Sequence, residues 1–327
     1  MRGADFPENP NRLSFGARFG LNFKAAFRNS ASVAPGAAVN PGPATGGVDH
    51  NYNDGYVRVD SSGPSSGTTW NWGYNNGSQY NQAADTMEFH AVQTGGASAS
   101  RINATDDPQY GGELIYQRVL GTLPFFPAAR WGLEGAFGYT DLDIRDRRSG
   151  SGRATVTTDS YPLNGVLPPA PGHRGTFEGP GVLLGDTPTR TTAVDTSRGT
   201  SLQKLSGELW SIRLGPFAEW YFAPQWSLGA SVGITLAPTS LDYEFSETTT
   251  LASGGRFESS GHSSKSELLY GPYVSAMLRY DFNESWGVYI GAQFQSLTDL
   301  EQSAGRRTAK LDQDATVYGL LGVTWKF

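Results

Sequence analysis

The segment Thr316-Val317-Tyr318-Gly319-Leu320-Leu321-Gly322-Val323-Thr324-Trp325-Lys326-Phe327 decides the fold. Val317, Gly319, Leu321, Val323, Trp325 and Phe327 share one face; Thr316, Tyr318, Gly322, Thr324 and Lys326 share the other. A period of two belongs to a β-strand, whose successive side chains point to opposite sides. One face is apolar and the other mixed, and the apolar face ends in two aromatics.

The first strand repeats the pattern at greater length. From Leu13 to Phe27 the odd positions read Leu, Phe, Ala, Phe, Leu, Phe, Ala, Phe, while the even positions carry Ser14, Arg18, Asn22, Lys24 and Arg28. A transmembrane β-strand needs only about 9–11 residues, so this stretch is long enough to cross a bilayer. Its cations would then need partners inside a narrow barrel.

Between these ends the alternation recurs in pairs flanking short turns. A weaker strand from about Tyr110 to Gly121 leads through Leu123-Pro124-Phe125-Phe126-Pro127 into Trp131–Tyr139. Trp210, Ile212, Leu214, Ala218, Trp220 and Phe222 stop at Ala223-Pro224-Gln225, and Leu228, Ala230, Val232, Ile234 and Leu236 return. Leu268 to Phe282 does the same through Asn283-Glu284-Ser285 into Trp286, Val288, Ile290, Ala292 and Phe294. Counting the first and last strands makes eight. Connections alternate between short ones, near 122–129, 223–225 and 283–285, and long ones, over 29–109, 146–203, 246–266 and 302–314. Trp131, Trp220, Trp226, Trp286 and Trp325 sit beside the short turns or the last residue, where an interfacial girdle would place them.

Composition agrees. Over 327 residues the hydrophobic share is only 38% and the mean hydropathy is -0.40, which leaves no apolar run near the ~18 residues of a spanning helix. Only alternate residues of a barrel strand face lipid, so a barrel passes that test unseen. With 42 glycines, 19 prolines and 12% aromatics the chain suits many strands and turns. No cysteine is present, which leaves no disulfide framework and no thiolate metal site. A net charge of -6 gives no reason to expect nucleic acid. Met1-Arg2-Gly3 runs into Asp5-Phe6-Pro7-Glu8 without an apolar export signal, so the numbering is expected to be that of a mature form.

The chain resembles the small eight-stranded outer-membrane barrels, the OmpA/OmpX type in a broad sense. The resemblance rests on the alternation, the short and long connections and the Trp325-Lys326-Phe327 ending. It implies one antiparallel transmembrane barrel over 1–327 with short periplasmic turns, periplasmic termini, and large extracellular loop regions at 29–109 and 146–203. It also implies insertion by the outer-membrane barrel assembly machinery, with Trp325 and Phe327 as the assembly signal, among outer-membrane lipid and lipopolysaccharide. Two short segments of the first loop, Thr68–Tyr74 and Asp85–Val92, could be strands. As membrane strands they would make ten; as polar segments they are expected to build a β-structured extension.

Candidate functional residues follow from position. The mixed faces put Arg18, Lys24, Arg28, Glu134, Arg213, Glu219 and Arg279 in the lumen, as an ion-pair network filling a barrel too narrow for a wide channel. A small selective channel is the alternative. Arg145, Arg147, Arg148 and Arg153, joined by Arg306, Arg307 and Lys310, stand where strands should leave the membrane and could bind lipid A phosphates bidentately. They could equally be a solvated, charged loop tip. Trp70, Trp72, Tyr74 and Tyr80, interleaved with asparagines, offer a carbohydrate-stacking or protein-contact surface, or else a small core beneath the loop.

His262-Ser263-Ser264 has the His-x-Ser spacing of lipid A deacylase barrels, which makes a lipid A-modifying enzyme a further alternative. The four histidines fall in the long loops without metal-site spacing, so neither metal, cofactor nor catalysis is expected. The expected role is an anchor for a surface-exposed loop assembly that contacts protein, glycan or lipopolysaccharide.

Overall fold

The computed structural model describes residues 10–29, 49–58, 67–94, 102–105, 108–123, 126–176, 181–185, 187–305 and 307–327. The alternating segments form strands β1 (Asn11–Leu21), β2 (Gln109–Leu123), β3 (Phe126–Pro162), β4 (Thr189–Ala223), β5 (Trp226–Leu251), β6 (Arg256–Asp281), β7 (Trp286–Gln295) and β8 (Thr316–Lys326). Each pairs antiparallel with its sequence neighbour from β2 to β8. β1 pairs with β2 on one edge and β8 on the other, with Phe15 opposite both Leu114 and Val323. The sheet thus closes into a ring of antiparallel strands, in which backbone donors and acceptors are paired without a free sheet edge.

The long connections differ from the expected loops. β3 and β4 stay paired from Ala129 opposite Trp220 to Ser160 opposite Thr189, so most of 146–203 is a continuous hairpin. β5 and β6 likewise continue to a turn over 252–255, inside the expected loop at 246–266. Beyond the barrel the outer face of these strands meets water instead of lipid, while the inner face packs on a small sheet at the mouth and becomes more polar farther out. The β-branched threonines at 155, 157, 158, 191, 192 and 248–250 keep the strand conformation, but the hydrophobic period that reveals a membrane strand is gone. Thr86–Thr94 pairs with Ala154–Pro162 of β3 at the far end of this hairpin and does not enter the ring.

The first strand also departs from its simple alternation. β1 stops at Leu21, Asn22 takes a positive φ of 64°, and the chain resumes as Lys24–Asn29 in a separate sheet. That sheet runs in the order Leu300–Ala304, Arg307–Asp312, Lys24–Asn29, Ile102–Ala104. The Asn22 side chain donates to the Ala315 carbonyl at 2.7 Å, which holds the break. After it, Phe23, Ala25 and Phe27 turn inward while Lys24 and Arg28 face solvent. Phe23 and Phe27 are therefore not lipid-facing, and Lys24 and Arg28 are not in the lumen.

This small sheet packs against the extensions of β3–β6. Between them lie Phe23, Phe27, Leu142, Ile144, Leu205, Leu209, Leu241, Tyr243, Leu300 and Leu311, all buried. They form an apolar plug over the barrel mouth. At the far end a second core gathers Tyr52, Val57, Trp72, Tyr74, Met87, Phe89, Tyr161 and Leu184, forming a distal cap.

Candidate functional site

The exterior of the ring is apolar. Phe15, Leu114, Leu133, Phe137, Ile212, Leu214, Leu228, Val232, Ile234, Val274, Ile290 and Leu321 are all exposed. Two aromatic belts bound this band. Trp131, Trp220, Trp226, Trp286 and Trp325 mark the short-turn end, where Trp325 stacks on Phe327 with centroids 4.5 Å apart. Tyr110, Tyr139, Trp210, Tyr270 and Phe294 mark the other end, and there the Tyr139 and Trp210 centroids are 4.6 Å apart. A segment such as Trp131–Tyr139, at ~3.3 Å per residue and a tilt of ~40°, spans on the order of 20 Å, close to the ~25 Å apolar band of outer-membrane barrels. Arg118 is an outward-facing cation near the short-turn end of this band. No described helix is long and apolar enough to cross a membrane, and the strands need none.

The lumen is polar and ion-paired. Glu219 accepts Arg12 Nη1 and Nη2 at 2.8 and 3.0 Å, Arg279 Nη1 at 2.9 Å and Ser227 Oγ at 2.8 Å. Glu113 accepts Arg213 at 2.7 Å, and Glu134 accepts Gln117 Nε2 at 2.6 Å and Ser231 Oγ at 3.0 Å. Lys326 pairs with Asp281. Arg18 donates to Ser211 at 2.8 Å and lies 3.5 Å from the Tyr318 ring centroid. The parity of the strands brings Arg18, Glu134, Arg213, Glu219 and Arg279 into this interior, as read from the sequence. Arg12, Glu113, Asp281 and Lys326 are also inside. They lie on the same faces, so parity was the signal for them too.

A ring that is apolar outside and charged inside inverts the soluble pattern and suits a hydrocarbon surround. It defines the class: this is an outer-membrane β-barrel protein.

The arginines beyond the second belt separate by position. Arg145 and Arg147 point outward from β3; Arg145 pairs with Asp143, its Nε 2.9 Å from Oδ1. Arg148 lies on the opposite face and pairs with Asp146 at 2.9 Å. Arg153 is exposed much farther along β3. Arg307 departs from the rim reading: it points inward, pairs with Glu247 and sits 4.4 Å from the Phe245 ring centroid, because its strand belongs to the plug sheet. Arg306 lies outside the described residues. Lys310 bonds Asp299 at 2.5 Å, beside Asp312 and Asp314.

Trp72 and Tyr74 do not form a recognition surface. They are 0% and 2% exposed, stacked on each other in the cap core, and Trp72 Nε1 donates to the Val182 carbonyl at 2.8 Å. Trp70 is half-buried beside them. His262 and Ser264 share the outer face of β6, but the Ser264 hydroxyl donates to Asp242 at 2.5 Å.

Two ion pairs fasten the cap. Asp159 is fully buried and takes a fork from Arg190 at 2.7 and 2.6 Å and the Tyr52 hydroxyl at 2.7 Å. Burial alone would raise its pKa; Arg190 and Tyr52 outweigh that and hold it below the ordinary carboxylate value. His90 Nδ1 lies 2.6 Å from Asp54 Oδ2. Burial pushes the imidazole pKa down, but Asp54, with Glu88 nearby, lifts it above the ordinary value.

No protein-family model matches the chain, and no curated protein matches it. Solved structures are similar at low identity. OprG of Pseudomonas aeruginosa, an outer membrane protein, is 11% identical over 98% of this chain and 97% of that one, with a TM-score of 0.32. The outer membrane protease OmpT of Escherichia coli gives 11%, 98%, 97% and 0.29. Ail, the attachment invasion locus protein of Yersinia pestis, gives 9%, 97%, 98% and 0.26. The class assignment rests on the chain's own exterior and lumen.

Proposed function

We propose that the chain is an eight-stranded transmembrane barrel whose extended strands display the distal cap outside the cell for contact with a surface partner. The carrying observation is the continuity of β3–β6. These strands run for 37, 35, 26 and 26 residues, far beyond a membrane crossing, and stay paired throughout. The lumen beneath this shaft is filled by the Glu219, Glu113 and Glu134 networks and covered by the plug, which argues against a solute path. Anchoring and display therefore account for more of the chain than conduction. The reading is non-catalytic, since Ser264 gives its hydroxyl to Asp242 rather than to His262.

In this orientation the short turns face the periplasm, and Arg145 and Arg147 stand about 15–20 Å past the outer belt, at strand rise and tilt, within reach of lipopolysaccharide phosphates. Ser253→Cys in the β5–β6 turn tests the orientation: a membrane-impermeant maleimide should label it on intact cells. Labelling only after lysis would overturn the display reading. Partner contact is tested by replacing residues 50–94 with a short Gly/Ser linker, which should abolish cell-surface binding while the barrel still shifts on heating in a gel.

A further inference from the structure

At the far end, between the strand carrying Glu88 and His90 and the turn joining β5 to β6, lies a cavity of about 710 Å³. Clefts of roughly 300–1,000 Å³ are the size of small-ligand sites. β3 and β4 supply Val156, Thr158 and Val194 to its wall, and the turn supplies Ser253 and Phe257.

The polar groups are largely sorted already. Asp54 commits both oxygens to His90, accepting its backbone N–H at 2.8 Å and facing Nδ1 at 2.6 Å. Asp195 commits both of its oxygens to the backbone N–H groups of Thr196 and Ser253, at 2.7 and 3.0 Å, and so ties the turn to the shaft. Glu88 commits one oxygen, to Asn81 Nδ2 at 2.8 Å. What the cavity offers a ligand is the other Glu88 oxygen, the His90 Nε2 edge that Asp54 orients, and the hydroxyls of Thr158 and Ser78. An apolar strip of Val156, Ala193 and Phe257 lies beside them. The Ser253 hydroxyl is held by Asp195, and Arg256 at the rim is held by Glu258 at 3.0 and 2.6 Å.

We propose that this cavity binds a short neutral oligosaccharide. A sugar hydroxyl both donates and accepts, which matches a lining of hydroxyls, one imidazole and one carboxylate oxygen. The C–H face of the ring meets the apolar strip. An organic cation fits less well, because two of the three carboxylates are occupied. The proposal deepens the display reading, which places this end outside the cell.

The test uses the full chain refolded in detergent micelles, with maltotriose, lactose and triacetylchitotriose as sugar probes and spermidine as the cation probe. Binding is followed by saturation-transfer NMR and calorimetry. Ala193→Trp fills the cavity from its exposed rim, and Glu88→Gln removes the carboxylate charge. Saturable binding of at least one sugar is expected, weakened tenfold or more by each variant, with both variants keeping the heat-dependent gel shift. A variant that loses the shift is replaced by Thr158→Val, for which the same loss is expected. Failure of all three sugars to bind, sugar binding unmoved by the variants, or tighter binding of spermidine would each overturn the proposal. Because binding in micelles is independent of orientation, it can fail while Ser253→Cys labelling succeeds, and the reverse.

Discussion

Phe27 stacks on Tyr243 across the barrel mouth, with ring centroids 5.9 Å apart and planes inclined by 23°. One ring comes from the small sheet and the other from the extension of β5, so the contact joins the plug to the shaft. Phe27→Ala would leave a cavity in a fully buried cluster, and large aromatic deletions of this kind cost about 3–5 kcal/mol. Urea unfolding in lipid vesicles, followed by tryptophan fluorescence, should show that loss. Planar-bilayer current should stay at baseline, because the Glu219 network below still fills the lumen.

That network yields a second prediction. Glu219 holds both Arg12 and Arg279, and all three are buried. Glu219→Gln strands two guanidinium groups in the interior, and breaking a buried pair from one side costs about 3–5 kcal/mol. The fraction that refolds to the heat-shifted band should fall sharply. Adding Arg279→Met should recover part of it, since one unpaired charge is then gone. Equal loss in the single and double variants would mean that Glu219 acts through packing rather than charge.

The strand faces were legible because lipid and lumen impose opposite chemistry on alternate residues. Parity alone put Arg18, Glu134, Arg213, Glu219 and Arg279 on one side. It could not pair them: the proximity of Glu219 to Arg12 depends on the stagger of strands far apart in sequence. Lys24 was misplaced because a single positive-φ residue, Asn22, ends the strand and exchanges the faces. Trp72 and Tyr74 were ambiguous for a different reason. Aromatics among asparagines suit a sugar-stacking surface and a small core equally well, and only the partners from 161–184 decide between them.

The cap should have a bounded pH range. Asp159 has a folded pKa below its unfolded value, so its contribution is present above the ordinary carboxylate pKa of ~4 and disappears as pH falls through the folded value. His90 has a folded pKa above its unfolded value, so its contribution is complete below ~6.5 and disappears as pH rises through the folded value. Burial holds His50 and His173, which pack in the same cap, below the ordinary imidazole value, so their contribution is present above ~6.5 and disappears as pH falls through the folded value. Hydrogen exchange of residues 67–94 should therefore slow from acid pH towards ~6.5 and quicken again as His90 loses its proton, after correction for the intrinsic rate. Asp54→Asn should remove the alkaline limb and leave the acid limb, since Asp159 and Arg190 are untouched.

Lipopolysaccharide contact should depend on height along β3 and not on arginine count. Arg145 lies six residues past Tyr139, about 15 Å beyond the belt, whereas Arg153 lies fourteen past it, about 35 Å out, at strand rise and tilt. The lower of these levels is the nearer to a headgroup layer at the aromatic belt. Arg145 shares its charge with Asp143, which lowers its worth, while Arg147 pairs with no carboxylate among the described residues and should carry more. A cation at an anionic lipid surface contributes about 1 kcal/mol, so Arg147→Glu should weaken lipopolysaccharide binding roughly five- to tenfold. Arg153→Glu should change it by less than about twofold. Co-migration of the refolded barrel with lipopolysaccharide on native gels at low and high salt measures both. Equal effects at the two positions would assign the arginines to general solvation of the shaft.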